Sequence, residues 1–382
     1  MCAAEHPNTP YCLPDGCEQS SAPGCHPERS ERSGAPSCHP ERSERSGAPS
    51  CHPERSERSG ALSCHPERSE RSERSRGIPL GDSQQPPCPT VRARSILQKV
   101  RYGSEWFGLD YTMNLYRGCA HGCIYCDSRS ACYRIDDFDQ VHVKFDALAI
   151  LRRELRSRRA RGIVGVGAMS DTYNPFERKL QVTRGALQLI EEFGFGVSAD
   201  TKSTLITRDI DLLQAIGERG GAIAKITVTT ADDNLARIIE PHAPLPSERF
   251  AALAELARAG IFCGVLFTPT LPWVTDDDAT VRAVVEGAAA AGTRFVYHTT
   301  GVTMRDRQRD HFLERITAVD PALPVRYRET FGERYFCNSP RATENRALFR
   351  ALCKEHNLLW RMSDIVAAYK PAQPLGSQAS LF

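Results

Sequence analysis

The chain has 382 residues, of which 49 are Lys or Arg and 47 are Asp or Glu, so its formal net charge is only +2. A charge so close to zero does not indicate a protein that binds nucleic acid or an acidic membrane surface through overall charge. The hydrophobic fraction of 41% and the charged fraction of 25% are ordinary for a globular protein. The length is sufficient for two or three domains.

These averages conceal two segments of different composition. Residues 1–90 contain 14 of the 25 prolines and 8 of the 15 cysteines, but only one aromatic residue, Tyr11. Residues 25–76 repeat a 13-residue unit that begins CHPERSER, and this unit has no apolar face at a helical or a strand period. We therefore predict a low-complexity, disordered tail over 1–90. The alternative, an array of Cys-His metal sites, would lack a preformed geometry.

The amino-terminal sequence MCAAEHPNTPYC has neither the basic segment nor the apolar segment of a secretory signal. No apolar run approaches the ~20 residues that cross a bilayer. We expect a cytoplasmic protein that does not contact a membrane. In that compartment fifteen cysteines indicate metal or redox chemistry rather than a disulfide framework.

From Arg92 onward, short apolar runs typical of buried strands alternate with amphipathic helical segments. Six strands are predicted: YTMNLYRG from Tyr111, IVGVGAM from Ile163, GVSADTKS from Gly196, AIAKITVTT from Ala222, IFCGVLFTP from Ile261 and RFVYHTT from Arg294. This alternation indicates either a parallel β/α barrel or a doubly wound sheet. In both architectures the functional residues lie at the carboxyl ends of the strands.

The helices between these strands carry recognisable boundaries. We predict one continuous helix over 177–193, a helix that begins near Ser247 as its N-cap, and a helix capped by Thr275 or Asp276. The residues after Gly301 are predicted to be mostly helical. The predicted domains are thus a tail over 1–90, a core over 91–300 and a helical extension over 301–382.

Three closely spaced cysteines follow the first predicted strand, in the segment NLYRGCAHGCIYCDSRS. Cys119, Cys123 and Cys126 form the pattern C-x3-C-x2-C. Three thiolates on one loop can hold three irons of a [4Fe–4S] cube, which normally takes four protein ligands. The remaining iron is then free to bind a substrate or a cofactor. Tyr125 is placed either to shield the cluster from water or to face a bound adenine.

Two other interpretations of these cysteines remain open at this point, namely a structural zinc site and three buried thiols. Zinc sites usually combine two short Cys/His spacings into a closed tetrahedron. His121 lies inside the loop, but residues 91–382 contain no second CxxC and no HxxxH. The spacing therefore favours the cluster. A zinc-dependent or redox-dependent binding module without catalysis is the competing functional hypothesis.

The cysteine spacing at the end of a first strand resembles that of the radical SAM superfamily, over roughly residues 95–370. Within it the chain is similar to the spore photoproduct lyase-like branch, often labelled DNA repair photolyases. The similarity rests on NLYRGCAHGCIYC, on GAMSDTYNPFE after the second strand, on TKS at 201–203 and on IIEPHAP at 238–244. It implies an α/β fold, a partial (β/α)6 TIM-type barrel with a mostly helical C-terminal extension.

The resemblance also implies cofactors and a reaction. A reduced [4Fe–4S] cluster donates an electron to S-adenosylmethionine, which splits into methionine and a 5′-deoxyadenosyl radical that abstracts hydrogen from a substrate. The expected partners are a flavodoxin-type or ferredoxin-type electron donor and an unknown substrate. Nucleic acid as that substrate rests on family analogy alone.

Several polar residues at predicted strand ends are candidate cofactor ligands. Ser170 and Asp171 are placed to accept hydrogen bonds from the methionine ammonium group. Lys202 is placed to pair with the methionine carboxylate, and Ser203 to bond the ribose or the carboxylate. Glu240 is a candidate to orient cofactor or substrate. The corresponding structural alternatives are a turn, a solvated lysine and a carboxylate at a helix end.

One position departs from the pattern of the resembled enzyme. In spore photoproduct lyase, a cysteine three residues before the Asp of a C-x-S-D motif returns hydrogen to the product radical. Ala168 occupies that position here. We therefore do not expect repair of a thymine photoproduct by that route, and Cys263 and Cys337 are the alternative candidates for the hydrogen donor.

Overall fold

The computed structural model describes residues 88–100 and 106–371. These residues belong to one compact unit. The predicted tail lies outside the described residues except at its last three positions, where Cys88 is buried and Thr90 begins a strand. The predicted boundary at residue 300 stays a prediction.

The strands of the described residues are short, and several of them have no polar position that faces water. They are β1 (Thr90–Val91), β2 (Leu97–Lys99), β3 (Tyr111–Met113), β4 (Tyr116–Arg117), β5 (His142–Lys144), β6 (Ile163–Val166), β7 (Gly196–Thr201), β8 (Ala222–Thr227), β9 (Phe262–Phe267), β10 (Phe295–His298), β11 (Gly301–Thr303) and β12 (Phe336–Asn338). All residues of β6 and β8 are buried, as expected for parallel strands covered on both faces.

The helices occupy the crossovers between the strands and most of the segment after Thr303. They are α1 (Ala147–Ser157), α2 (Glu177–Leu180), α3 (Val182–Glu192), α4 (Ile210–Gly220), α5 (Asp233–Ile239), α6 (Pro246–Arg258), α7 (Asp278–Ala290), α8 (Asp306–Arg315), α9 (Leu323–Phe331), α10 (Ala342–Glu355) and α11 (Met362–Tyr369). Within the described ranges, no helix has the length and apolar character needed to cross a bilayer.

The main sheet contains seven strands in the order β2, β3, β6, β7, β8, β9, β10. The neighbours from β3 to β10 are parallel, and β2 pairs antiparallel with β3. Each crossover between consecutive parallel strands contains at least one α-helix. The six parallel strands lie within the six runs that the sequence predicts, so the partial (β/α)6 TIM-type barrel is confirmed. The first predicted strand is shorter than expected, because its second half forms β4, which pairs antiparallel with β5 in a separate sheet.

Side chains from strands that are far apart in the sheet meet in one cluster, which shows that the sheet curls. Ile163 of β6, Ile223 of β8 and Phe295 of β10 belong to one buried cluster with Phe107. Residues at the intervening positions, such as Val164, belong instead to the core between sheet and helices. Because side chains alternate along a strand, each strand contributes to an inner and an outer core.

The C-terminal extension is mostly helical, as predicted, and its last helix closes the amino-terminal end of the barrel. Tyr369 of α11 donates a hydrogen bond from its hydroxyl to the carbonyl of Phe107, and Lys370 Nζ donates to the carbonyl of Gly108 at 2.9 Å. A two-stranded antiparallel sheet of β11 and β12, which the sequence analysis did not predict, also belongs to the extension.

Three predictions about helix boundaries are wrong. The helix over 177–193 is divided into α2 and α3 at Gln181, whose φ of 51° is left-handed and interrupts the helix. Ser247 is not the N-cap of α6, because the helix already begins at Pro246, and Ser247 bonds instead to Asp233. Neither Thr275 nor Asp276 caps α7; their neighbour Asp277 does, by accepting from the backbone N–H of Thr280.

Candidate active site

The three predicted cluster cysteines lie in the loop that follows β4. The loop is fixed at its start, where the backbone N–H of Cys119 donates to the carbonyl of Phe138 at 2.8 Å. Gly118 has a φ of +81°, and a Cβ at this position would lie 2.2 Å from the carbonyl oxygen of Gln140. Only glycine combines this backbone conformation with this close approach, so the loop requires a glycine directly before its first cysteine.

The other side of the loop rests on the segment IIEPHAP. The backbone N–H of Ile124 donates to the carbonyl of Ile239 at 3.0 Å, and that of His242 donates to the carbonyl of His121 at 3.1 Å. Gly122, at a φ of +67°, packs so closely that a Cβ would lie 2.9 Å from the His242 ring. Two motifs that are far apart in the sequence therefore form one local structure.

The three thiols are close enough to influence one another. Burial, followed by the Asp171 carboxylate and the other two thiols, raises the pKa of Cys119. Burial also raises the pKa of Cys123 to about 12, and it raises that of Cys126. Such thiols keep their protons at neutral pH unless a bound metal replaces them. Three sulfurs on one short loop are the donor set of an iron–sulfur cluster.

A single zinc ion finds no support in this geometry. Within residues 88–100 and 106–371, no three Cys, His, Asp or Glu side chains lie close enough together to hold one metal ion. Zinc ligands about 2.3 Å from the ion lie within about 4 Å of one another in a tetrahedron. The thiolates of a [4Fe–4S] cube are farther apart, because each binds a different iron.

Asp171 connects the cysteine loop to the ends of β6 and β7. His121 Nε2 lies 2.9 Å from Asp171 Oδ2, and the Thr201 hydroxyl donates to both carboxylate oxygens at 2.7 and 2.9 Å. The backbone N–H of Lys202 also donates to Asp171, at 2.8 Å. Burial opposes ionisation, but His121 and these hydrogen bonds outweigh it and lower the pKa of Asp171 to about 2. The structure thus gives Asp171 a positioning role, and its predicted bond to a cofactor ammonium stays a prediction.

The ammonium group of Lys202 faces the thiols. Its Nζ lies 5.5 Å from the centre of the Tyr125 ring, and no carboxylate of the described residues is within 4 Å of it. Burial acts to lower the pKa of Lys202, but the charges of Cys123 and Glu240 outweigh it and raise that pKa. The same ammonium favours the thiolate forms of Cys123 and Cys126. The structure therefore brings this predicted residue to the cysteine loop as a cation that has no direct ion-pair partner within residues 88–100 and 106–371.

Tyr125 is anchored by a buried ion pair. Its hydroxyl donates to the carboxylate of Glu240, which also accepts from the Thr229 hydroxyl at 3.0 Å. The other Glu240 oxygen lies 2.5 Å from the guanidinium of Arg249. Burial opposes ionisation, but Arg249 and Lys202 outweigh it and lower the pKa of Glu240 to about 2. Glu240 therefore holds Tyr125 in place beside the last cysteine.

Arg249 and Thr201 are site residues that sequence reasoning missed. Arg249 is fully buried, and its guanidinium also donates to the carbonyls of Pro244 at 2.7 Å and Thr227 at 3.0 Å. A signal was present, because Arg249 stands three, four and seven residues before apolar positions of α6, on the face that packs inward. Thr201 is the first residue of the motif TKS at 201–203, but the sequence analysis assigned roles only to its lysine and its serine.

The two predicted serine ligands have different surroundings. Ser170 is buried, and its hydroxyl has no hydrogen-bond partner among the described residues. Ser203 is also buried, but its hydroxyl accepts from the backbone N–H of Leu205 and so caps the 3-10 helix Thr204–Asp209. Ser170, which directly precedes Asp171, is therefore the one of these two serines whose hydroxyl does not cap a helix.

The two candidate hydrogen donors do not lie in the barrel interior. Cys263 packs on the helix-facing side of β9, where its thiol donates to the carbonyl of Leu253 at 3.7 Å. Cys337 is buried in β12, in a cluster beneath the cysteine loop, and its thiol points to the carbonyl of Arg334 at 3.9 Å. Both thiols are held in packing positions, and their assignment as hydrogen donors stays a prediction.

Comparison with known proteins shows which of them have a similar sequence. The pattern of the Radical SAM superfamily matches residues 113–284. The uncharacterized protein Rv2578c of Mycobacterium tuberculosis is 32% identical over 248 residues, which are 63% of this chain and 72% of that protein. The chain belongs to the radical SAM superfamily. It is therefore an enzyme, and its cofactors are the superfamily's [4Fe–4S] cluster and S-adenosylmethionine.

A second relative and a solved structure are also similar to this chain. The uncharacterized protein MJ0683 of Methanocaldococcus jannaschii is 27% identical over 212 residues, which are 54% of this chain and 76% of that protein. A structure of spore photoproduct lyase complexed with dinucleoside spore photoproduct matches with a TM-score of 0.51 and 15% identity, over 65% of this chain and 74% of that one. At this identity the likeness shows a shared fold.

Proposed function

We propose that Cys119, Cys123 and Cys126 bind the [4Fe–4S] cluster, which leaves one iron open for S-adenosylmethionine. We propose further that Lys202 binds the carboxylate of that S-adenosylmethionine. The observation that carries this proposal is the Lys202 ammonium, which faces two of the three thiols and has no carboxylate of the described residues within 4 Å. A half-buried cation in this position is stabilised when an anionic group comes to it. Thiolates on one side and a carboxylate on the other supply that charge.

When bound, the reduced cluster supplies the electron that splits S-adenosylmethionine into methionine and a 5′-deoxyadenosyl radical. The chain's own residues orient and protect this chemistry. Asp171 holds the cysteine loop against the end of β7, where Lys202 follows directly. The hydroxyl of Ser170 is available for the methionine ammonium group.

Tyr125 has a second task in this proposal, the exclusion of water from the cluster. Its ring is buried next to Cys126, and the Glu240–Arg249 pair fixes its hydroxyl. A ring held in this way cannot swing out, so solvent is kept from the sulfurs of the loop. The low pKa of Glu240, about 2, means that the anchor stays ionised across the physiological range.

The substrate of the proposed reaction lies inside the barrel, at the carboxyl ends of the strands, as in other parallel barrels. Nucleic acid is the class that we propose, supported by the dinucleoside photoproduct bound in the similar fold of spore photoproduct lyase. Ala168 occupies the position at which that enzyme's motif has a cysteine. The proposal therefore does not include the step in which that cysteine returns hydrogen to the product radical. A flavodoxin-type or ferredoxin-type protein is the proposed electron donor.

The test is to measure the affinity for S-adenosylmethionine in the anaerobically prepared holoenzyme and in Lys202→Ala. Loss of a charge-assisted contact costs about 1.5–3 kcal/mol, so we expect the affinity to fall by about one to two orders of magnitude while the brown cluster is retained. Lys354→Ala, an exposed lysine of α10, is the matched control and leaves the affinity unchanged. Equal affinity in Lys202→Ala and the control would remove Lys202 from the cofactor site.

A further inference from the structure

A strongly basic surface on the outside of the barrel plays no part in the cofactor site. Residues 92–99 and 152–161 together contain nine Lys or Arg residues and one acidic residue, Glu154. Eight of the nine basic residues are arginines. The whole chain has a net charge of only +2, so the rest of the chain is acidic overall and the positive charge is concentrated in these two stretches.

The two basic stretches lie side by side in the fold. The backbone N–H of Phe145, two residues before α1, donates to the carbonyl of Val91 at 2.9 Å. Farther along α1, the carboxylate of Glu154 accepts from the backbone N–H of Leu97 at 2.8 Å. The segment 92–99 therefore runs beside α1 from the start of the helix to its third turn, and the basic residues of both stretches share one side of the molecule.

Most of these cations have no carboxylate partner. Arg152 pairs with Glu192 of α3, whereas Arg158 and Arg161 donate to backbone carbonyls. Glu154 does not neutralise any of them, because its carboxylate is bonded to the backbone of β2. The other six are exposed and form no ion pair within residues 88–100 and 106–371, and we call them the arginine surface: Arg92, Arg94, Lys99, Arg153, Arg156 and Arg159.

The two faces of α1 differ completely in character. The buried face consists of Ala147, Leu151 and Leu155. The opposite face exposes Arg152, Arg153 and Arg156. Residues three or four apart are neighbours on a helix surface, and like charges at that spacing destabilise the helix. An anion that lies along this face relieves the repulsion, so the arrangement favours a bound polyanion.

The composition of the arginine surface indicates the class of partner. Guanidinium groups bind phosphate oxygens through two parallel hydrogen bonds, a geometry that lysine does not offer. Interfaces between proteins have a largely apolar core, and helices that lie on a membrane insert an apolar face into the lipid. The apolar face of α1 is instead buried against the sheet. A chain of phosphates therefore fits this surface better than a protein or a lipid bilayer.

One exposed aromatic ring distinguishes between kinds of phosphate chain. Phe145 is 57% exposed, and its backbone bond to Val91 places it next to Arg92 at one end of the arginine surface. Unpaired bases stack on exposed rings beside a basic surface, whereas inorganic polyphosphate has no base to stack. The position of this ring therefore favours single-stranded nucleic acid.

We propose that the arginine surface binds the phosphate backbone of a single-stranded nucleic acid and that an unpaired base stacks on Phe145. The surface lies on the outside of the barrel, so it holds the strand away from the reacting groups and contributes affinity that does not depend on base sequence. The inference rests on the proposed function in one respect, because nucleic acid is the substrate class proposed there.

The probe is a fluorescein-labelled single-stranded DNA of about 20 nucleotides, and fluorescence anisotropy measures its binding to the anaerobic holoenzyme between about 50 and 200 mM salt. The test variant combines Arg153→Gln, Arg156→Gln and Arg159→Gln. Loss of three phosphate contacts should reduce the slope of log affinity against log salt by about two, and the affinity should fall about tenfold or more.

The matched control removes the same charge from exposed arginines of α7, α9 and α10. It combines Arg282→Gln, Arg328→Gln and Arg350→Gln, and it should leave the slope and the affinity nearly unchanged. A third variant carries lysine instead of glutamine at the three α1 positions. Because it keeps the charge, it should recover most of the salt slope.

Phe145→Ala tests the stacked base separately. The affinity for the DNA should fall about fivefold or more with an unchanged salt slope, because stacking does not involve charge. Inorganic polyphosphate has the same charges without bases. It should bind more weakly than the DNA, and it should bind equally to the wild type and to Phe145→Ala.

Three results would overturn the inference. They are equal salt slopes in the α1 variant and its control, polyphosphate binding as tight as that of the DNA, and binding of phosphatidylserine vesicles in preference to the DNA. Iron content and S-adenosylmethionine cleavage of the same samples report on the proposed function separately. If the wild type has both activities while the α1 variant and its control bind DNA alike, the arginine surface is excluded and the proposed function stands. If the DNA binds through the arginines to a protein that holds no cluster, the proposed function fails and the surface stands.

Discussion

The two ends of the barrel are built from the same six strands but carry opposite chemistry. At the amino-terminal end, Phe107, Phe295 and Ile223 form an apolar plug that α11 covers. At the carboxyl end, the buried carboxylates Asp171 and Glu240 and the half-buried Lys202 surround the cysteine loop with charge. The difference shows how one fold separates stability from function. The residues of the plug contribute to stability through their burial, whereas the charged groups at the other end are placed to bind a ligand.

The largest effect that this comparison predicts concerns two cysteines. Cys123→Ala should abolish both the bound iron and the release of 5′-deoxyadenosine from S-adenosylmethionine under dithionite, because two thiolates cannot hold a cube with one open iron. Cys353→Ala, in the buried core contact of α10, is the matched control and should retain both. Deoxyadenosine release by Cys123→Ala would contradict the division between the two ends.

At the opposite end, Phe107→Ala should affect stability and leave the cofactor chemistry intact. The ring is completely buried, and its removal leaves a cavity, so we expect the free energy of unfolding to fall by about 3–5 kcal/mol. Phe145→Ala, which is 57% exposed, should change it little. Denaturant unfolding measures both. A loss of S-adenosylmethionine cleavage in folded Phe107→Ala would show that the plug and the site are not separate.

The buried ion pair at the carboxyl end should make the free energy of unfolding depend on pH in the acidic range. The pKa of Glu240 is lowered from 4.5 to about 2, so this carboxylate stabilises the fold above pH ~4.5 and loses that contribution as pH falls towards 2. The expected loss is on the order of 3 kcal/mol. Unfolding curves between pH 6 and 2 should show a shallower decline for Glu240→Gln, which already lacks the charge at neutral pH. An identical decline in both proteins would exclude Glu240 as the source.

The smallest effect should come from the amino-terminal repeats. A chain that begins at Gln84 retains Cys88 and every described contact, and it should bind the same iron and release deoxyadenosine at the same rate. The reason is that residues 1–83 hold too few apolar side chains to offset the ~1–2 kcal/mol per residue that ordering costs. Loss of iron on truncation would show that the Cys-His repeats contribute ligands.

Sequence patterns predicted the barrel and the cysteine loop because both depend on local information. Strands such as β6 and β9 are continuous apolar runs, and Cys119, Cys123 and Cys126 are neighbours in the chain. The contacts of Asp171 with His121 and Thr201 could not be predicted, since they join three separate elements. A carboxylate that resembles a free ligand in the sequence turns out to be bonded on both oxygens.

The same limit applies to the charged residues that the fold buries. Glu240 directly follows α5 and Arg249 lies in α6, whereas Asp200 and Lys225 lie in adjacent strands, so each pair forms only when the elements meet. A buried charge with its partner elsewhere in the chain has the same local sequence as a solvated one. Only a position on the inward-facing side of a helix, as for Arg249, indicates from the sequence that a charged residue will be buried.

The account depends most on the cluster, so the most direct test is the iron and acid-labile sulfide content of anaerobically purified protein, combined with electron paramagnetic resonance after reduction. We predict about four irons and four sulfides per chain and a signal that shifts when S-adenosylmethionine is added, since three cysteines leave one iron open. Zinc in place of iron, or a signal that S-adenosylmethionine leaves unchanged, would contradict the assignment of this loop as the cofactor site.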